Sequence, residues 1–360
     1  MASTERELEL SQQQLISRRK SEHLELCASG KADFKRKTAL WNEVELVHQS
    51  LPEMHLGEVD MSTSMFGKVL RAPLFISAMT GGTDEALKIN RELAQLADEL
   101  GIGFGLGSQR AMVVRPETKW TFQVRKWAPN TLILGNVGLV QAGKMHMHEI
   151  LGLCQAVGAD ALCVHLSPAM EMVQPGGDRD FRMGKEKLAW LAQGFPLPLI
   201  VKETGCGLSR QVGLTLRDLG VKNVDVSGAG GTSWVGVETN RAAGAKALVG
   251  QALWDWGIPT AASVGLLSDL GFDIIATGGL QTGLDVAAAL SLGAKAGGIA
   301  GPVLKAWKNG GQDRARLLLE GVIETLRTVL LLTGCRTPGE LRSVPKLLGP
   351  RLSAWLQGAR

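Results

Sequence analysis

The chain has 360 residues, of which 45% are hydrophobic and 21% charged, and its formal net charge is +4. That balance excludes a disordered or low-complexity chain and gives no basis for nucleic-acid binding. No apolar run approaches the roughly 18 residues of a membrane span. The charged start MASTERELEL lacks the apolar core of a secretion signal, so a cytoplasmic protein is expected.

Residues 1–35 read as a charged amphipathic arm in which Arg18, Arg19, Lys20, Glu22 and His23 cluster. Two readings stand: a solvated helix face, or a basic segment that folds over an anionic ligand. Residues 36–72 read as an irregular or β-like lead-in. From there short apolar runs recur: 74–78 (LFISA), 102–106 (IGFGL), 131–135 (TLILG), 161–166, 198–202 (PLIVK), 223–226 (NVDV), 273–277 (DIIAT) and 296–300 (AGGIA). Helix-length amphipathic stretches lie between most of them, at 84–99, 208–219, 259–270 and 282–292. Continuous apolar strands alternating with helices imply a parallel sheet covered on both faces. Eight such units predict an α/β protein, a (β/α)8 barrel, with a doubly wound sheet as the alternative. The step from 223 to 273 is longer than the others and reads as an inserted active-site loop. A helix is expected over 312–333 and a C-terminal extension over 336–360, the whole being one barrel of residues 1–360.

Chemistry in such a barrel gathers where strands exit into loops. The fourth run ends in His165-Leu-Ser167-Pro-Ala-Met170-Glu171, followed by a loop with Asp178, Arg179 and Asp180. The 45 glycines are clustered, notably at 228–231, 278–279 and 301. Three such sets in the last three loops can present backbone N–H groups to one phosphate. Lys202 ends the fifth strand, a costly place for a cation unless it faces an anion. Thr80, Ser108, Arg110 and Asn136 end the first three strands with polar groups. The five cysteines show no metal spacing and read as reduced, buried thiols. Tyrosine is absent, so it is no candidate acid or base. His48, His55, His146 and His148 read as surface or structural residues.

The segments RRKSEHLE (18–25), SAMTGG (77–82), GLGSQR (105–110), GNVG (135–138), GDRDF (177–181), VKETGCGLS (201–209), DVSGAGGTSW (225–234) and TGGLQTGLDVAAALSLGA (277–294) together resemble type II isopentenyl-diphosphate isomerase. The resemblance implies an FMN-dependent barrel catalysing a 1,3-proton shift between isopentenyl and dimethylallyl diphosphate. Reduced flavin would be the acid–base catalyst, NADPH its reductant and Mg2+ the metal. By the same resemblance Arg19, Lys20, His23 and Arg110 bind the substrate diphosphate, with His165 assisting. Thr80, Ser108, Asn136, Lys202 and Thr232 contact FMN, and Gly278, Gly279, Ala300 and Gly301 hold its phosphate. Glu171 carries Mg2+, Trp234 and Trp256 wall the site, and the assembly is a tetramer or octamer.

The chain departs from that family where the proton moves. Met170 stands in place of a glutamine and Ser167 in place of an asparagine, while Gly176 and Gln281 replace a glutamate and an arginine. Methionine has no transferable proton. The catalytic segment His165, Ser167 and Met170 therefore allows three readings: the family's reaction, conversion of a different or larger prenyl diphosphate, or flavin binding with little catalysis. A 2-hydroxy-acid oxidase is a further alternative among FMN barrels. Cys206 is the one cysteine placed like the nucleophile of inosine-monophosphate-type dehydrogenases, and it reads more simply as a small turn residue.

Overall fold

The computed structural model describes residues 19–359. Eight parallel strands close into a barrel: β1 (Leu74–Ile76), β2 (Gly103–Gly105), β3 (Ile133–Gly138), β4 (Ala161–His165), β5 (Leu199–Lys202), β6 (Asn223–Asp225), β7 (Asp273–Thr277) and β8 (Ala296–Ile299). β8 pairs with β1 and closes the ring in chain order. Each of the eight apolar runs supplies one strand, because a strand covered on both faces needs no polar alternation. Closure decides for the barrel over the doubly wound sheet.

The expected helices form at Asp84–Leu100, Arg210–Asp218, Thr260–Leu267 and Gly283–Ser291. The first shows why. The Thr83 hydroxyl accepts from Ala86 N at 3.1 Å, and Gly101 ends the helix at φ 68°. Ile89, Leu93, Leu96 and Ala97 line its buried face at helical spacing. The helix expected over 312–333 is the second half of Gly301–Leu332, interrupted by non-helical Gly310 and Gly311. The long step between β6 and β7 holds two extra helices, Trp234–Thr239 and Ala245–Ala252.

A hairpin of Thr63–Met65 and Lys68–Leu70 plugs the barrel's N-terminal end. Phe66 and Gly67 both have positive φ, the backbone of a tight two-residue turn. Met65 and Leu70 join Phe75, Leu134, Cys163, Ile200 and Ile275 in the inner core. Strand register then fixes the layer above. Gly138, His165, Lys202 and Asp225 are lateral partners across β3 to β6 and share the inner face. Charged groups of β4 to β6 appear on the inner face at this height, at the C-terminal mouth.

Residues 19–29 form a helix, and the chain after it runs across the same mouth. Asp33 bridges to Thr232, and Phe34 N donates to Gly231 O at 3.1 Å. Residues 1–18 of the expected arm, Arg18 among them, lie outside the described residues. Val44–Leu46 pairs with Lys346–Leu348 near the C-terminus. Cys27, Cys154, Cys163 and Cys335 are buried and Cys206 is half-buried, and all are free thiols. Among the described residues no helix is long and apolar enough to cross a membrane.

Candidate active site

A cavity of about 600 Å³ sits at the C-terminal mouth of the barrel. Every strand end contributes to it. Arg19, Lys20 and His23 reach it from the N-terminal helix, Thr80 from β1, Ser108 and Arg110 from β2, and Asn136 from β3. His165, Met170 and Glu171 come from β4, Lys202 from β5, and Thr232 and Trp234 from the loop after β6. Gly278 and Gly279 follow β7, and Ala300 and Gly301 follow β8. Two expected residues lie elsewhere. Ser167 is buried as the residue before the helix Pro168–Val173 and does not line the cavity. Trp256 is 60% exposed and does not wall the site, because it follows the helix of the insertion that faces outward. His48, His55, His146 and His148 are all exposed, and the last two stack on each other.

One half of the cavity is made of backbone. Gly278 has φ 111°, and a Cβ there would lie 2.3 Å from Gly228 O. A Cβ on Gly231 would lie 2.7 Å from Gly279 N, and one on Gly230 2.0 Å from Ala39 N. The two glycine turns therefore interlock at a distance only glycine permits. Beside them the N-terminus of the long helix Gly301–Leu332 opens onto the cavity with no side-chain cap. Uncapped N–H groups at a helix start form an anion site. At β1, Ser77 Oγ and Thr80 Oγ1 are buried on the wall without a hydrogen-bond partner. Unsatisfied hydroxyls beside a phosphate cradle call for a polar ligand. These features fit FMN, with its phosphate at the glycines.

The other half is made of charged side chains. Lys20 is acted on by Arg19, Arg110 and Arg115, all cations, and burial with those charges pushes its pKa down to about 8. Burial, then Arg110, also lowers Arg19, whose Nε lacks a partner. Clustered, partly buried cations of this kind favour an anion beside them. Glu171 is buried; burial raises its pKa, while its Oε2 accepts from Asp178 N at 2.8 Å. His23 Nε2 lies 2.8 Å from Glu238 Oε1, and Glu238 is also bound by Arg241 at 2.7 Å. Burial lowers the His23 pKa despite that carboxylate, so the pair is neutral His with ionised Glu.

His165 is fixed by Asn136. Asn136 Nδ2 donates to Leu106 O at 3.1 Å, which leaves Oδ1 to accept from His165 Nδ1 at 2.8 Å. Burial, with Lys202, Lys20 and Arg110, pushes His165 down to about 3. The ring is thus neutral with its proton on Nδ1. Gly138 beside it leaves room for the ring and for Gln141, whose Nε2 donates to Asp178 at 2.7 Å. Lys202 Nζ donates to Asp225 at 3.0 Å. Cys206 is no thiolate: burial and Glu203 push its thiol up well above the ordinary range.

Several further residues line the wall: Ser77, Gln141, Gln174 and Thr277. Ser77 and Thr277 lie inside the segments SAMTGG and TGGLQTGLDVAAALSLGA, while Gln141 and Gln174 carry no signal in the linear sequence. Glu238 lies 215 residues from the histidine it holds.

A family model described as FMN-dependent dehydrogenase matches residues 12–166 and 144–345. Isopentenyl-diphosphate delta-isomerase of Methanothermobacter thermautotrophicus is 42% identical over 344 residues, covering 95% of this chain and 96% of that one. The protein of the same name in Pyrobaculum arsenaticum is 43% identical over 351 residues, covering 95% and 98%. The chain belongs to the isopentenyl-diphosphate delta-isomerase family. Among solved structures, a mandelate oxidase variant with benzaldehyde has a TM-score of 0.63 at 18% identity, covering 91% of this chain and 98% of that one. Another mandelate oxidase variant, with an FMN adduct, has a TM-score of 0.62 at 17% identity, covering 89% and 95%. At such identities the likeness is one of fold, the (β/α)8 barrel. Met170 lines the cavity together with the glycine turns and the cation cluster.

Proposed function

We propose that this protein binds FMN and Mg2+ and isomerises isopentenyl diphosphate to dimethylallyl diphosphate. The observation that carries the reading is half-buried Lys20, set with Arg19 and Arg110 on the wall of a cavity whose other half is a glycine-built anion cradle. That combination suits two phosphorylated ligands side by side. Reduced beforehand by NADPH, FMN supplies an acid–base centre, so the proton shift involves no net redox change.

Arg19, Lys20, His23 and Arg110 hold the diphosphate, and ionised Glu238 orients His23 toward it. Gly278, Gly279, Ala300 and Gly301 take the cofactor's phosphate. Thr80, Ser108, Asn136, Lys202 and Thr232 contact the rest of it, with Ser77 as a further donor. Neutral His165 presents Nε2 as an acceptor, its other nitrogen being committed to Asn136. Glu171 binds Mg2+. Among the described residues no three His, Cys, Asp or Glu side chains converge on a metal position, so the remaining ligands come from diphosphate and water. The test is purified protein with FMN, NADPH, Mg2+ and isopentenyl diphosphate. Dimethylallyl diphosphate is the expected product, and its absence with flavin bound and reduced counts against the reading.

A second reading rests on Met170. Its side chain lines the cavity while Ser167 does not reach it, so the wall is apolar where a proton-bearing group is expected. On that reading the substrate is a different or larger prenyl diphosphate, converted while isopentenyl diphosphate is not. The 2-hydroxy-acid oxidase reading shares only the fold with its structural neighbours. It requires lactate or glycolate to reduce the bound flavin.

A further inference from the structure

We propose that Asp225 is a positioning residue that holds the Lys202 ammonium on the cavity wall, cancels much of its field, and thereby sets the redox potential of the bound flavin. The inference rests on the FMN reading above. Lys202 and Asp225 are lateral partners of β5 and β6 on the barrel's inner face, with side chains 9% and 8% exposed. Lys202 lines the cavity, while Asp225 stays behind it.

Asp225 is held from three sides. Oδ2 accepts from Lys202 Nζ at 3.0 Å, and Oδ1 accepts from Ser227 N at 3.1 Å and from Thr277 Oγ1 at 2.5 Å. These donors come from β5, the β6 exit and β7, so the carboxylate ties three strand ends together. The other buried carboxylate nearby, Glu203, is turned to Thr204 N and Cys206 N, each at 2.5 Å. Asp225 is therefore the ion-pair partner of Lys202 among the described residues.

An unpaired ammonium facing a flavin favours the reduced state, which carries more negative charge. Pairing it with a fixed carboxylate in a site shielded from water removes most of that preference. The flavin then stays at low potential and electron-rich when reduced, as a centre that gives and takes protons needs to be. Thr277 acts on the same carboxylate. Its hydroxyl is committed to Asp225 and is not free for a ligand.

The test compares the midpoint potential of FMN in the full-length protein, Asp225→Asn and Thr277→Val, reduced stepwise with dithionite against a reference dye. In D225N the ratio of reduced to oxidised flavin at a fixed potential is expected to rise at least tenfold, about 30 mV for a two-electron couple. T277V keeps both charges and loosens the carboxylate, so it folds where D225N fails to and shifts the ratio the same way, by about twofold to threefold. Flavin bound with an unchanged potential in whichever variants fold overturns the inference. Wild-type protein that retains no FMN overturns the functional reading instead.

Discussion

The two halves of the cavity are built from different material. The cradle after β6, β7 and β8 is backbone, held by glycines that interlock at contacts no Cβ permits. The opposite half, from the N-terminal helix and the exits of β2 to β4, is side chain, with Arg19, Lys20, Arg110, His165, Met170 and Glu171. A backbone site tolerates drift everywhere except at its glycines. A side-chain site changes its chemistry with one substitution. Met170 lies in the second kind of site, so on the proposed reading the cofactor half can persist while the substrate half diverges.

The largest expected effect attacks the backbone half. Gly278→Ala at φ 111° places a Cβ 2.3 Å from Gly228 O. It should weaken FMN binding by at least a hundredfold, roughly 3 kcal/mol, as strained backbone and steric overlap imply. Flavin fluorescence on titration measures it. Lys20→Met should raise the KM for the diphosphate by about 10- to 100-fold, the worth of one charged contact, and leave FMN affinity within about threefold. A parallel loss of FMN affinity would show that the halves are not separate. Met170→Gln should raise kcat on isopentenyl diphosphate by about a hundredfold, the lower range of a proton-transfer group, with little change in KM. No gain would remove Met170 as the reason for any weak activity.

The smallest effect is a pH dependence. Lys20 is held near 8 in the folded protein against an ordinary 10.5. Above pH 8 the free site loses a cation, so diphosphate KM should rise about fourfold between pH 7 and pH 8.5. Stability moves the opposite way. The folded state binds fewer protons than the unfolded one between about pH 8 and 10.5, so this group's destabilisation is full below 8 and relieved as pH rises through that window. In K20M both trends should disappear from KM and from thermal unfolding.

Much of this was legible in the linear sequence. The eight strands stand out because burial on both faces makes each one a continuous apolar run. Most site residues stand out because they end those runs. What escaped depends on lateral register and long-range approach. Asp225 gains meaning only beside Lys202, and Glu238 only when the N-terminal helix lies across the insertion. Ser167 and Trp256 were expected at the site, yet the first is buried off the cavity wall where the helix Pro168–Val173 begins and an outward-facing loop carries the second away. The front half of the long helix after β8 was hidden by Gly310 and Gly311.

The most direct test of the central claim is isomerisation in D2O with reduced FMN and Mg2+, followed by nuclear magnetic resonance. A proton leaves C2 of isopentenyl diphosphate and one from solvent joins C4. Dimethylallyl diphosphate with deuterium in a methyl group is the expected product. Flavin-loaded protein, wild type and Met170→Gln alike, that leaves isopentenyl diphosphate unlabelled and unconverted would contradict it.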